Sequence, residues 1–266
     1  MKKWKHYKVV SGFILCFILG TTAQAKELVR VAVAANVSYA MSELEVAFEK
    51  QNPDIDLSVI LGSSGKLTAQ ITNGAPYDLF LSANMKYPET LHKNGMAITE
   101  PKIYAQGQII FFSKKDLSKY KKQLLEHGDF KKIACANFRT APYGKAAMQY
   151  LENTQVKPKI QHKLLFAESI SQTLQYSMTA ADGGFIAKSA IYSPKLTEYN
   201  KQGIHWIDLD NKKYTPINQG IVLLKRAKNN SNAKKVYDFF ISQEASIILK
   251  KYGYNIPNSK LGKLNP

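Results

Sequence analysis

The sequence predicts an α/β protein of two lobes, because short apolar runs alternate with segments of helical periodicity in two successive blocks. The first block covers residues 28–93 and the second covers residues 108–187. An extended segment at 214–224 and two helices, at 232–242 and 244–251, close the chain. Repeated strand–helix units favour a parallel sheet that is covered on both faces.

Strands are predicted where β-branched and other apolar residues run together, and helices where apolar residues recur every three or four positions. The elements of the first block are strands at 28–34, 57–61 and 79–83 and helices at 38–50, 67–72 and 87–93. Gly74 and Pro76 end the second of these helices. The elements of the second block are strands at 108–112, 133–136, 163–166 and 184–187 and helices at 144–151 and 170–179.

The first 25 residues have the pattern of an export signal. Four lysines precede an apolar run at 9–19, and the sequence AQA at 23–25 has the small residues of a cleavage site. The apolar run is too short to span a bilayer, and Leu15 before Cys16 is not the small residue that a lipoprotein signal needs. We therefore predict cleavage after Ala25 and a mature chain in the periplasm.

The net charge of +17 falls to +13 when the four lysines of the leader are removed. The remaining lysines are scattered in short pairs, without the aromatic interleaving or the motifs of nucleic-acid binding. We predict a solvated basic surface and no nucleic-acid partner. Cys135 is the one cysteine after the leader, and its apolar surroundings at 133–136 predict a small buried side chain.

Sequence motifs of catalysis are absent from the chain. The four histidines after the leader do not have metal-ligand spacing, and neither the G-x-S-x-G nor the H-E-x-x-H pattern occurs. We predict that the protein is not an enzyme and has no cofactor.

Four short segments share one arrangement, in which a strand ends and a helix begins. They are AAN at 34–36, GSSGK at 62–66, APYG at 141–144 and AESIS at 167–171. The first N–H groups of a helix have no acceptor within the helix and lie at the positive end of its dipole. Each segment alone fits an ordinary helix start, but four in one chain favour an anion held between several helices.

The donors that these segments offer are neutral. Ser63 or Ser64 caps its helix or donates to a ligand, and the Asn36 amide has the same two options. Tyr143 offers a backbone N–H, with its ring closing over the site, and Ile170 offers a backbone N–H alone.

Lys66 and Glu168 are the charged residues of the four segments. We expect Glu168 to stabilise the first turn of its helix.

The order and spacing of these segments resemble the periplasmic molybdate-binding proteins of ABC importers. The matching stretches are VAVAANVSYAMSELEVAFEK, GSSGKLTAQITNGAPYDLFLSAN, APYGKAAMQYL, AESISQTL, GFIA and KKYGYNIP. The resemblance implies a type II periplasmic-binding-protein fold with molybdate or tungstate in the cleft between the lobes. It also implies a membrane permease as partner, and we expect a monomer.

The resemblance assigns the oxyanion to six residues: Ala35, Asn36, Ser63, Ser64, Tyr143 and Ile170. Ser64 would give its hydroxyl and N–H, whereas Tyr143 and Ile170 would give backbone N–H groups from the other lobe. Many members of the family have serine in place of Asn36 and a tyrosine donor in place of Ala187. This chain resembles a subgroup with asparagine at the first site, and we expect the Asn36 amide to replace the tyrosine hydroxyl.

The lobe boundaries and the ligand leave alternatives open. We predict one lobe from residues 26–107 and 217–266 and the other from residues 108–216. The alternative ligand is another tetrahedral oxyanion, such as sulfate or phosphate, because residue types do not report the size of a cleft. Two further alternatives are an enzyme that reuses this fold and a surface protein whose positive charge binds polyanions.

Overall fold

The computed structural model describes residues 26–120 and 124–257, which contain two five-stranded sheets. The strands are, in chain order, β1 (Glu27–Ala34), β2 (Ile55–Gly62), β3 (Leu79–Ser82), β4 (Lys102–Gly107), β5 (Ile109–Phe112), β6 (Ile133–Ala136), β7 (Leu164–Ala167), β8 (Gly183–Ala187), β9 (Trp206–Asp208) and β10 (Ile217–Leu223). The α-helices are α1 (Ser38–Gln51), α2 (Ser64–Thr72), α3 (Lys86–Lys93), α4 (Pro142–Asn153), α5 (Lys157–Ile160), α6 (Ile170–Thr179), α7 (Ser231–Phe240) and α8 (Gln243–Lys251). The predicted α/β class is confirmed, whereas the leader and its cleavage after Ala25 lie outside the described residues.

The first sheet has the strand order β2-β1-β3-β10-β4. β1 runs parallel to β2 and β3, but β10 lies antiparallel between β3 and β4. The parallel arrangement expected from the strand–helix repeats of the first block is therefore confirmed for β1, β2 and β3, and β10 adds an antiparallel strand. The chain enters β10 from the second sheet, at residue 217, and so runs against its neighbours.

The second sheet has the order β7-β6-β8-β5-β9. β6 is parallel to β7 and β8, and β5 is antiparallel to β8 and β9. The two sheets thus share one plan, with a parallel part next to antiparallel strands. We call each sheet with its helices a lobe.

Helices cover both faces of each sheet. Val31 and Val33 of β1 pack with α1, α7 and α8, whereas Ala32 between them packs with α2 and α3. In the second lobe, α4 packs on the face that contains Phe111 and Cys135, and α6 contacts the opposite face through Leu174. Successive side chains of a strand point to opposite faces of the sheet, so they contact different helices when both faces are covered.

Several local features differ from the sequence predictions, including β9 and α5, which were not predicted. The helices α2 and α4 begin at Ser64 and Pro142, a few residues earlier than their apolar periodicity indicates. The strand β4 was not predicted, because its sequence KIYAQG has neither a continuous apolar run nor a regular alternation. Cys135 is fully buried and burial raises its pKa to about 12, which confirms the prediction of a small buried side chain.

The chain passes between the lobes twice, at Gln108 and in residues 209–216. The predicted boundaries, which divide residues 26–107 and 217–266 from residues 108–216, remain our proposal for the units that move. Within the described residues, we find no helix with the length and apolarity that crossing a membrane requires.

Candidate anion-binding site

A cavity lies where the starts of several helices from both lobes meet. It encloses about 200 Å³, including the space open to solvent. The residues that line it are Ala34, Ala35, Asn36, Gly62, Ser63, Ser64, Ala83, Ala141, Pro142, Tyr143 and Ile170. The structure therefore brings together all six residues that the family resemblance assigned to an oxyanion, and all six are buried.

The start of α2 presents two buried serines to this cavity. Ser63 precedes the helix in an extended conformation, and its hydroxyl caps no backbone group and has no protein partner. The Ser64 hydroxyl oxygen accepts a hydrogen bond from the Ala83 N–H at 2.9 Å, which fixes its position. Because that contact uses the oxygen as acceptor, the Ser64 proton is free for a ligand.

The starts of α4 and α6 supply backbone donors from the second lobe. Ala141 precedes α4 without a side-chain cap, and Pro142 occupies the first turn, where its missing N–H costs nothing. Ser169 caps α6 by accepting from the Gln172 N–H at 3.2 Å, and this contact leaves the Ile170 N–H at the end of the helix. Tyr143 and Ile170 thus each present an N–H that has no acceptor within its helix.

The Tyr143 ring differs from its expected position. Instead of closing over the site, it is buried, and its hydroxyl accepts a hydrogen bond from Gln219 Nε2 at 3.1 Å. The hydroxyl lies so close to Gly107 that a Cβ there would come within 1.9 Å of it. The glycine at the end of β4 therefore admits the ring into the interior.

The Asn36 side chain is also held by protein groups. Its Nδ2 donates to Gln219 Oε1 at 2.8 Å and to the Tyr254 hydroxyl at 2.9 Å. Both amide hydrogens are therefore used in this arrangement, whereas Asn36 Oδ1 is buried without a partner. This differs from the expectation that the amide donates to the anion. Ala187, where the sequence lacks a tyrosine donor, is buried in β8 and does not line the cavity.

A buried polar network behind the cavity was missed by the sequence reasoning. Gln219 is fully buried at a β-bulge in β10 and accepts from the Tyr104 hydroxyl at 2.9 Å. Tyr254 and Ser189 donate to the Asn36 carbonyl oxygen at 2.8 and 3.0 Å. The signal in the sequence is a glutamine inside the apolar run INQGIVLL, since a buried amide must find partners.

The described lining of the cavity has no charged side chain, and its electrostatics suit an anion. None of the described residues that line it carries a charge, and burial raises the pKa of Tyr143 well above its usual value, so its hydroxyl stays neutral. The favourable field comes from the ends of the helices, where partial positive charge accumulates. Among the described residues, no cluster of His, Cys, Asp or Glu could hold a metal ion.

Several contacts join the two lobes around the cavity. The Gly65 N–H donates to the Thr140 carbonyl oxygen at 2.9 Å, and Ser171 Oγ donates to the Ala35 carbonyl oxygen at 2.8 Å. Lys66 and Glu168 form an ion pair of 2.6 Å, and both side chains are about half exposed. Glu168 therefore bridges the lobes outside the cavity lining, in addition to lying next to the start of α6.

Comparisons with known proteins agree with this architecture. The family model for the bacterial extracellular solute-binding protein matches residues 29–255. A molybdate-binding protein of Azotobacter vinelandii is 36% identical over 245 residues, covering 90% of this chain and 94% of that protein. A molybdate-binding protein of Rhodobacter capsulatus is 32% identical over 238 residues, covering 89% and 91%.

A solved structure of similar fold is the periplasmic molybdate-binding protein of Azotobacter vinelandii. It has a TM-score of 0.78 and 31% sequence identity, and the match covers 86% of this chain and 99% of that one. Together with the family match over nearly all of the described residues, this similarity identifies the chain as a member of the bacterial extracellular solute-binding protein family.

Proposed function

We propose that this protein captures molybdate, or its analogue tungstate, and delivers it to the membrane permease of an ABC importer. The molybdate-binding relatives from two organisms and the similar solved structure support this assignment. The family consists of solute-binding proteins, and the role in transport is not enzymatic.

The observation that carries the proposal is a small cavity that helix starts surround and that contains no charged side chain. A fully deprotonated oxyanion can only accept hydrogen bonds, so its binding site must supply hydrogen-bond donors on all sides. The cavity provides serine hydroxyls and backbone N–H groups from both lobes, with few acceptors among them. An oxyanion that keeps a proton must also donate a hydrogen bond, and this lining offers it few acceptors.

In this proposal the first lobe binds the anion through the backbone at Ala35 and Asn36 and through Ser63 and Ser64. The second lobe binds it through the N–H groups of Tyr143 and Ile170. Since these donors come from both lobes, all of them can surround the anion only when the lobes are closed.

Calorimetric titration of the chain from residue 26 onward tests the ligand. We expect molybdate and tungstate to bind tightly, and sulfate and phosphate to compete poorly. Equal affinity for sulfate and molybdate would favour the alternative of a general tetrahedral-oxyanion receptor. Absence of binding by molybdate would contradict the proposal.

The same titration at two ionic strengths tests the polyanion alternative. Binding to the surface charge of +13 should weaken steeply with salt, whereas a buried anion held by neutral donors should respond little.

We also propose that the mature protein starts after Ala25, is located in the periplasm and acts as a monomer. The composition of the leader supports export, and relatives of this chain include periplasmic and lipid-anchored binding proteins. Mass spectrometry of the exported protein tests the cleavage site, and a lipid-modified cysteine would contradict it.

A further inference from the structure

The amide of Gln219 connects the side chain of Asn36 to two buried tyrosines. Gln219 Oε1 lies 2.8 Å from Asn36 Nδ2 and 2.9 Å from the Tyr104 hydroxyl, and Gln219 Nε2 lies 3.1 Å from the Tyr143 hydroxyl. The network therefore reaches the first helix start of one lobe and the start of α4 in the other.

The hydrogen-bonding pattern in this structure does not suit an anion. With Nδ2 turned toward Gln219, the atom of the Asn36 amide that remains is Oδ1, which is buried and has no protein partner. Asn36 lines the cavity, so this oxygen is the polar atom that its side chain can offer there. An acceptor next to an oxyanion is repulsive, and an unpaired buried acceptor is costly in itself.

The same heavy-atom positions permit a second pattern when both amides turn by 180°. Gln219 Nε2 then donates to Asn36 Oδ1 and to the Tyr104 hydroxyl, and the Tyr143 hydroxyl donates to Gln219 Oε1. Asn36 Oδ1 also replaces Nδ2 beside the Tyr254 hydroxyl, which then donates to Oδ1, while the Asn36 carbonyl oxygen keeps Ser189 as its donor. Asn36 Nδ2 now occupies the position without a protein partner, where its two hydrogens can bind an anion.

We propose that Gln219 is a positioning residue that sets the orientation of the Asn36 amide and thereby selects a fully deprotonated oxyanion. This inference rests on the proposed function. With Gln219 donating to Asn36, the cavity contains a donor; with Gln219 accepting from Asn36, it contains an acceptor. Anion binding selects the first of these states, and the tyrosines adapt because a hydroxyl can either donate or accept.

The groups around Gln219 do not titrate near neutral pH. Burial raises the pKa of Tyr104 and Tyr143 well above their usual values, and that of Tyr254 to about 12. The three tyrosines therefore stay neutral, and a charge introduced at position 219 acts on the amide of Asn36 and on the ligand.

A double-mutant cycle of Gln219→Met and Asn36→Ala, read as molybdate affinity at pH 8, tests the inference. Methionine keeps the volume but cannot orient Asn36, so we expect affinity to fall by about tenfold in the parent. In the Asn36→Ala background, the same change should alter affinity by less than about twofold. Equal losses in both backgrounds would show a merely structural role and would overturn the inference, as would no loss in either.

Two further variants sharpen the cycle. A carboxylate at position 219 can only accept, so Gln219→Glu should turn Asn36 Oδ1 toward the cavity and weaken binding more in the parent than in Asn36→Ala. Charge repulsion is common to both backgrounds and cancels in that comparison. Gln106→Met is the matched control, since Gln106 donates to Asn218 at 2.9 Å in the same sheet without contacting Asn36. It should leave affinity unchanged.

The parent protein separates the two levels of this hypothesis. If the parent fails to bind molybdate, the proposed function is wrong. If the parent binds molybdate but the cycle shows no coupling between residues 219 and 36, the proposed function is supported and the proposed role of Gln219 is wrong.

Discussion

Single serine residues at helix starts have two distinct roles in this protein. Ser169 and Ser242 cap their own helices, because each hydroxyl accepts from a backbone N–H three residues later. Ser63 and Ser64 do not cap α2, and their hydroxyls lie in the cavity lining. Of the first N–H groups of α2, that of Gly65 donates to Thr140, whereas that of Ser64 has no acceptor within the helix and is left for a ligand. Sequence alone cannot separate these roles, since both kinds of serine follow a strand or loop and precede a helix.

Replacement of Ser64 by alanine tests the hydroxyl that Ala83 fixes. We expect molybdate affinity to fall by roughly 10- to 100-fold, because one charge-assisted hydrogen bond contributes about 1.5–3 kcal/mol. Calorimetry measures this change.

Ser242→Ala is the matched control, because it removes a helix-start hydroxyl that does not line the cavity. It should lower the free energy of unfolding by about 1 kcal/mol and leave the affinity unchanged. Parent-like affinity of Ser64→Ala would show that this hydroxyl does not bind the anion.

Among the secondary-structure elements, the start of α2 also determines how closely the lobes approach. A Cβ at Gly65 would lie 2.8 Å from the Tyr87 hydroxyl and 3.0 Å from the Thr140 Cα and carbonyl oxygen. The same glycine donates its N–H to Thr140 across the cleft. Its lack of a side chain therefore permits backbone of the two lobes to meet beside the cavity.

Gly65→Ala should weaken molybdate binding without weakening the fold. Alanine is the better helix former, and the Tyr87 hydroxyl of the same lobe is the end of a side chain that can turn aside, so the thermal midpoint of the ligand-free protein should change little. The closed contact with Thr140 should be strained, and we expect a loss of affinity of about tenfold. Gly128→Ala is the control, because no atom lies within 4 Å of a Cβ there. Equal affinity of Gly65→Ala and the parent would show that this contact does not limit closure.

The sequence predicted the elements whose signals are local, and it missed those that depend on distant partners. The ends of β1, β2 and β6 and the helices after them follow from apolar runs next to small residues. The Asn36 contacts with Gln219 and Tyr254 join residues 183 and 218 positions apart, and no local pattern specifies them. Sheet order has the same limitation, because β10 pairs with β3 although the strands β5 to β9 of the second lobe lie between them in the sequence.

At the scale of the whole molecule, the contacts between lobes describe a closed state. The carbonyl oxygens of Ala35 and Asn36 accept from Ser171 and Ser189 of the second lobe. We propose that these bonds and the anion contacts form together, since all of them require the lobes to meet. The two connections between the lobes are short enough to act as a hinge, at Gln108 and in residues 209–216.

Small-angle X-ray scattering tests this coupling between binding and closure. Molybdate should decrease the radius of gyration of the mature chain toward about 18 Å, the value expected for a compact protein of this length. Gly65→Ala should show a smaller decrease at saturating molybdate. An unchanged radius of gyration, together with molybdate binding by calorimetry, would contradict closure as the response to ligand.

A crystal structure with molybdate, located by the anomalous scattering of molybdenum, is the most direct test of the proposed site. We expect one molybdenum peak between the starts of α2, α4 and α6. Its oxygens should lie at hydrogen-bond distance, about 2.7–3.2 Å, from the Ser64 hydroxyl and from the N–H groups of Tyr143 and Ile170. A peak outside this cavity, or an anion held by lysine side chains, would contradict the assignment.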